Sequence, residues 1–196
     1  MSKSIAYVGM RTPWGKADFV TEIIPGMFRV NAPGHGGIKL SRKLQARMPE
    51  YMKEDGGWYE EDSDYAKVFV VFAKEIAEKA SGTGMINQER LNLAQNVLRN
   101  WKPDAYEKFY NTVIPEGKSY LKDQRAFAVK HANDLQAVYA SMVSKDMVRV
   151  GACIGGRNER GHYNGDVRTF LVPATEYDAR GRFSFVVDPT RHMEIV

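Results

Sequence analysis

A change of periodicity near Asp134 divides this chain into two textures. Downstream, residues 135–142, 147–154, 167–172 and 182–187 are four runs that read as strands. Short links at 144–146 and 178–181 and a longer one at 155–165 separate them, which predicts an antiparallel meander. Upstream, apolar residues recur at helical spacing. Leu44, Met48, Tyr51 and Met52 form one stripe; Leu91, Ala94, Leu98 and Trp101 form a second; Leu121, Phe127 and Val129 form a third. Before Ser41, Phe28 and Val30 alternate with Arg29 and Asn31, and Pro25-Gly26 suits a type II turn, so residues 17–32 read as a hairpin. Residues 5–8 and 38–40 read as short strands. The class is therefore α+β, in one expected domain over 1–196: a hairpin region (1–40), a helical region (41–133) and an antiparallel sheet of about four strands (134–196).

Local signals set the helix ends. The Ser41 hydroxyl can accept from free first-turn amides, and Pro49 should end that helix. The run at 65–73 is nearly all apolar. Its β-branched and aromatic content suits a strand, and its continuation through residue 79 suits a helix of about 18 residues, the reading adopted. The acids at 60–64 would then occupy the first turn of that helix, where negative charge meets the helix dipole favourably. Residues 81–84 read as a break, Asn87 as the cap of a helix running to Trp101, and Pro103 as the start of the next helix.

Net charge is +4, with 43% hydrophobic and 27% charged residues, an ordinary globular balance that permits an acidic partner without requiring one. Cys153 is the sole cysteine, so no internal disulfide can form, and its apolar neighbours suit a core residue. No basic segment followed by an apolar one opens the chain, and no apolar run approaches a membrane span. The expected compartment is a reducing cytoplasm, with no membrane contact.

The stretch Gly-Gly-Trp-Tyr-Glu-Glu-Asp-Ser-Asp at 56–64 sets two large aromatics beside four carboxylates. From Glu54 to Asp64 six acids meet no basic residue. Their nearest basic neighbour in sequence is the helix at 41–53, so Glu60, Glu61 or Asp62 is expected to pair with Arg42, Lys43 or Arg47, or to cap the following helix. Trp58 and Tyr59, residue types that anchor interfaces, would make a contact surface with Glu60, Glu61 and Asp62. Alternatively, His35, in a glycine-rich loop (31–37), could join Glu61 and Asp62, with Glu60, in acid–base or hard-metal chemistry. His131, Asp134, His162, Asp188 and His192 are outlying candidates for such a site. No spacing matches a zinc signature, and no metal or cofactor is assigned. Nucleic-acid candidates are Arg42, Lys43 and Arg47, Lys118, Lys122 and Arg125, and Arg157 and Arg160 in the loop at 155–165, which is expected to be exposed and mobile. No helix-turn-helix, zinc finger or basic arm accompanies them.

Several motifs occur in order: Thr-Pro-Trp-Gly (12–15), Pro-Gly-His-Gly-Gly (33–37), Gly-Trp-Tyr-Glu-Glu-Asp (57–62), Trp-Lys-Pro-Asp-Ala-Tyr-Glu (101–107), Phe-Leu-Val-Pro-Ala-Thr-Glu-Tyr (170–177) and Phe-Val-Val-Asp-Pro (185–189). Together they resemble a domain of unknown function found in phage, prophage and plasmid proteins, mostly of Gram-negative bacteria. The resemblance implies a mobile-element accessory protein and supplies no reaction or catalytic residue. Three functions are therefore carried forward. The first is an accessory protein that binds a host protein or protein–nucleic-acid complex, including an anti-CRISPR or anti-restriction inhibitor of host defence. The second is a nucleic-acid-binding protein, and the third a hydrolase or metal-dependent enzyme at His35. Self-association as a homodimer is compatible with each.

Overall fold

The computed structural model describes residues 5–80, 88–158 and 160–195. The expected break at 81–84 and the cap at Asn87 lie outside the described residues. The α+β class holds, with an N-terminal hairpin, helices in the middle and a C-terminal antiparallel sheet. Contacts divide the chain into two compact units, residues 1–121 and 122–196.

The first unit is built on a four-stranded antiparallel sheet: β3 (Phe19–Ile24), β4 (Met27–Ala32), β5 (His35–Leu40) and β6 (Trp58–Glu60). A small hairpin of β1 (Arg11–Thr12) and β2 (Gly15–Lys16) precedes it, and residues 5–8 form turns instead of the expected strand. Gly26 takes φ +85° in the β3–β4 turn, a conformation that L side chains adopt rarely. The glycine-rich segment at 31–37 is likewise not a loop. Only Pro33 and Gly34 turn, and His35, Gly36 and Gly37 pair in register with Ala32, Asn31 and Val30. Glycine weakens a strand, but neighbours on both sides hold this one.

Cross-strand register sorts the side chains. Arg29, Ile38 and Tyr59 share one face, and Val30, Gly37 and Glu60 share the other. The first face packs the main core, where Ile38, Leu40 and Tyr59 meet α1 (Arg42–Arg47), α2 (Tyr65–Val71), α3 (Ala73–Ala80) and α4 (Gln88–Trp101) through Leu44, Phe69, Phe72, Ile76, Leu91, Ala94 and Leu98. Fully burying side chains of this size contributes about 1.5–3 kcal/mol each before ordering costs. The opposite face carries Val30, with Ala6 and Ala17 from the segment before β3.

Ser41 caps α1, its hydroxyl accepting from the Leu44 amide at 3.3 Å, and the helix stops before Pro49. Helix is confirmed for the apolar run at 65–73, with one interruption. Phe72 leaves helical geometry (φ −106°, ψ 23°), yet its amide bonds Val68 and its carbonyl accepts from Ile76. Trp101, expected on the buried stripe of α4, is exposed, while Leu91, Ala94 and Leu98 are buried. Pro103 opens α5 (Pro103–Tyr110), which Asn111 ends in the left-handed region.

The second unit is a five-stranded antiparallel sheet. Its strands are β7 (Leu135–Met142), β8 (Met147–Ile154), β9 (Arg168–Pro173), β10 (Val186–Val187) and β11 (Met193–Ile195). Their order is β10-β7-β8-β9-β11, so the chain is a meander only through β9; β10 then returns to pair with β7. Val148, Val150, Phe170, Val172 and Phe185 form its core. The helix α6 (Tyr120–Lys130) runs across the boundary between the units and buries none of its residues; Val129, expected on an apolar stripe, is 80% exposed. A short helix α7 (Ala174–Asp178) follows β9. Among the described residues no helix is long and apolar enough to cross a membrane.

A histidine between three carboxylates

The acids between Glu54 and Asp64 have two fates. Asp64 lies 2.8 Å from the Lys67 ammonium and 2.9 Å from Lys102, and Lys67 also pairs with Glu54. Lys67 is buried, held in the otherwise apolar α2 by these carboxylates. Burial alone would lower its ammonium, and Asp64 and Glu54 more than offset that, raising it above the ordinary value. Burial likewise pushes the Asp64 carboxyl up, while Lys67 and Lys102 outweigh it and hold the group below its usual range. Beside this knot the Tyr59 hydroxyl donates to Gln45 at 2.8 Å; burial pushes it up to about 12. Tyr59 is fully buried, so it belongs to the core and has no surface to offer a partner.

Glu60, Glu61 and Asp62 behave differently. None of them pairs with Arg42, Lys43 or Arg47, contrary to expectation. Arg47 instead pairs with Glu75 and lies over the Phe72 ring, and Glu60 and Glu61 face His35. The acids at 60–64 do not enter the first helical turn either. Glu60 ends β6, residues 61–64 form a turn, and α2 begins at Tyr65 with no acid in its first turn. Because β5 and β6 are paired, His35 sits diagonally across the ladder from Glu60 on one face of the sheet. The His35 Nε2 lies 3.0 Å from Glu60 Oε1, and its Nδ1 lies 3.7 Å from Glu61 Oε1. The Glu60 carboxylate is fixed by the amides of Asp62 (2.6 Å) and Ser63 (3.1 Å). One donor atom each from His35, Glu60 and Asp62 fall within 4.8 Å of one another.

Trp14 closes one side of this group, edge-on to His35 at 5.7 Å and to Trp58 at 5.6 Å. A Cβ at Gly37 would collide with the Trp14 ring and with the Tyr59 carbonyl, so only glycine leaves room for the indole there. Trp58 is half-buried with the Lys39 ammonium over its ring. Glu61 and Asp62 also form part of the wall of a cavity of about 770 Å³ beside the sheet, whose apolar lining includes Phe19, Ile23, Tyr65, Phe69 and Leu93. Phe19 and Leu93 are more than half exposed. Sequence reasoning names the cluster and reads Trp14, between Pro13 and Gly15, as an aromatic plug on the domain; it misses the cavity, although the period-two spacing of Phe19, Thr21 and Ile23 marks one face of β3.

The other candidates lie elsewhere. His131 pairs with Asp134 at 2.7 Å, and buried His192 meets Glu176 at 3.2 Å while accepting from the Asp188 amide; all belong to the second unit. His162 is exposed in the loop after β8. That loop is cross-braced: Arg157 donates to the Gly161 and Val138 carbonyls and lies over Tyr163, and Asn158 accepts from the amides of Arg160 and His162. The basic candidates are split, with Arg42, Lys43, Arg47 and Lys118 in the first unit and Lys122, Arg125, Arg157 and Arg160 in the second. Arg42, Lys43, Lys118, Arg125 and Arg160 are exposed.

These features define an α+β protein whose first unit displays a histidine–carboxylate cluster beside an apolar cavity. The chain belongs to the family described as Domain of unknown function (DUF7007), whose model matches residues 7–132 and so spans the entire cluster. No curated protein and no solved structure shows significant similarity to it.

Proposed function

We propose that this protein is a phage- or plasmid-encoded accessory factor of the bacterial cytoplasm that acts by binding a host macromolecule, counter-defence being the role such binding would serve. Its contact surface is the Glu61–Asp62 turn with the adjoining cavity. The observation that carries the reading is the juxtaposition of this acidic lip with apolar side chains, Phe19 and Leu93, left open to solvent. An apolar patch rimmed by charge is the anatomy of a protein-binding surface. The test is affinity capture from host lysate with the wild type and the Glu61→Lys/Asp62→Lys variant. A host protein retained by the wild type and lost by the variant, with melting nearly unchanged, supports the surface. An identical retained set from both refutes it.

A second reading, hydrolytic or metal-dependent chemistry at His35, is favoured by the carboxylates that face both of its ring nitrogens. Turnover of an ester or phosphoester by the wild type, abolished in His35→Ala with the fold intact, would carry it. Direct nucleic-acid binding gains less, because Arg47 is paired and the Arg157 guanidinium is committed to carbonyls.

A further inference from the structure

We infer that His35, Glu60 and Asp62 form a binding site for one divalent transition-metal ion of the Zn²⁺ or Mn²⁺ type. Convergence is the first ground. The three donor atoms come from the start of β5, the end of β6 and the turn after it, and lie within 4.8 Å of one another. An ion placed among them would be reached by one imidazole nitrogen and two carboxylate oxygens.

Charge is a second and independent ground. Three carboxylates surround one imidazole, and among the described residues no lysine or arginine pairs with Glu60, Glu61 or Asp62. A few residues away, Asp64 and Glu54 are matched by Lys67 and Lys102. The cluster thus holds three carboxylates with no close lysine or arginine pair among the described residues, on a partly buried sheet edge walled by Trp14. A bound cation supplies the missing charge.

Placement of the ligands is a third ground. With Nε2 on the ion, the Glu61 carboxylate, 3.7 Å from Nδ1, stands on the side from which it could close to a hydrogen bond and orient the imidazole. Gly36 makes this approach available, since a Cβ there would stand 2.8 Å from the Glu61 carboxylate. The backbone amides of Asp62 and Ser63 hold Glu60 in place.

The donor set also selects the ion. The imidazole nitrogen favours Zn²⁺ and the two carboxylate oxygens are also acceptable to Mn²⁺, whereas Mg²⁺ and Ca²⁺ take all-oxygen sets. Three protein ligands leave positions for water or for a ligand's own donor, and Asp62 is exposed enough to admit either. This inference stands whether or not the acidic lip binds a host protein.

The experiment is calorimetric titration of the untagged, chelator-stripped full chain with Zn²⁺, Mn²⁺ and Mg²⁺, followed in parallel by intrinsic tryptophan fluorescence, to which Trp14 and Trp58 contribute beside the site and Trp101 away from it. The expected result is saturable binding of one Zn²⁺ or Mn²⁺ per chain, clearly tighter than Mg²⁺. His35→Ala, Glu60→Gln and Asp62→Asn should each weaken it at least about tenfold, the scale on which even residues that merely hold a ligand in place act. Glu50→Gln, on an exposed acid paired with Lys53, should leave it unchanged. Asp62 lies in an exposed turn, so Asp62→Asn keeps the test valid if His35→Ala fails to fold. No saturable binding, equal affinity for Mg²⁺, or an Asp62→Asn affinity equal to wild type would each overturn the assignment.

Discussion

The two ends of the acidic stretch use the same residue types to opposite effect. Glu54 and Asp64 are drawn against Lys67 and Lys102 at the edge of the core, and Lys67 keeps only 7% of its side-chain surface exposed. Of the three acids between them, Glu60 and Glu61 have His35 as their only ion-pair partner among the described residues, and Asp62 lies beside the same imidazole. Carboxylates matched to buried cations serve the fold, since removing either partner strands the other. Carboxylates left with a single titratable partner can respond to what binds. The comparison predicts which substitutions unfold the protein and which change only its surface behaviour.

The sharpest way to break the contrast is Lys67→Met. It leaves Glu54 without its cation and Asp64 with Lys102 alone, and should cost about 3 kcal/mol, the lower end for breaking a buried pair, because Glu54 keeps some solvent and Asp64 keeps one partner. Denaturant unfolding measures this, and a loss below about 1 kcal/mol, the scale of an exposed pair, would make the knot ordinary surface electrostatics. Acid titration comes next. Asp64 is held below its ordinary value of 3.8, so its contribution is present above that pH and is lost as pH falls through the lower folded value. Thermal melting from neutral to strongly acidic pH should therefore fall more steeply below 3.8 for the wild type than for Asp64→Asn, which starts lower. Equal slopes would remove Asp64 from the account.

Smaller effects belong to the other end. His35→Ala should cost about 1 kcal/mol or less, since its pairs are partly exposed and removing it also leaves three carboxylates facing each other. A loss of several kcal/mol in thermal or denaturant unfolding would instead make His35 a structural tie. Glu61→Gln should raise stability by a few tenths of a kcal/mol by relieving repulsion. Glu54→Gln should lower it, so a sign reversal between the two would undo the comparison.

Local pattern accounts for what is legible in the sequence. Residues 135–142 and 147–154 are readable as eight-residue runs bounded by the polar link at 144–146 and the glycine-rich loop after 154, and their observed bounds coincide. The two-residue β10 and three-residue β11 are too short to show a period, and the return of β10 to β7 is set by tertiary pairing. Glycines around His35 suggest a loop, whereas neighbouring strands decide its conformation. His35 and the acids at 60–62 stand out by their chemistry. Their juxtaposition follows from the β5–β6 register, which no local spacing encodes. The expected partners Arg42, Lys43 and Arg47 are nearest in sequence, and strand pairing overrides that proximity. Lys67 escapes notice because a single charge in an apolar run shows its partners only in three dimensions.

The indole of Trp14 occupies the volume that a side chain at position 37 would need. The two positions are therefore a single decision made twice. A relative that carries alanine or a larger residue at 37 would have to give up the tryptophan and also move the β6 backbone away at the Tyr59 carbonyl, and one that lost the tryptophan would leave an unfilled hollow against the strand. The Thr-Pro-Trp-Gly and Pro-Gly-His-Gly-Gly segments should accordingly be inherited or lost as a pair, though about twenty residues separate them along the chain. A member of the family that kept one without the other would have a differently shaped wall beside the histidine, and its sequence alone would reveal that.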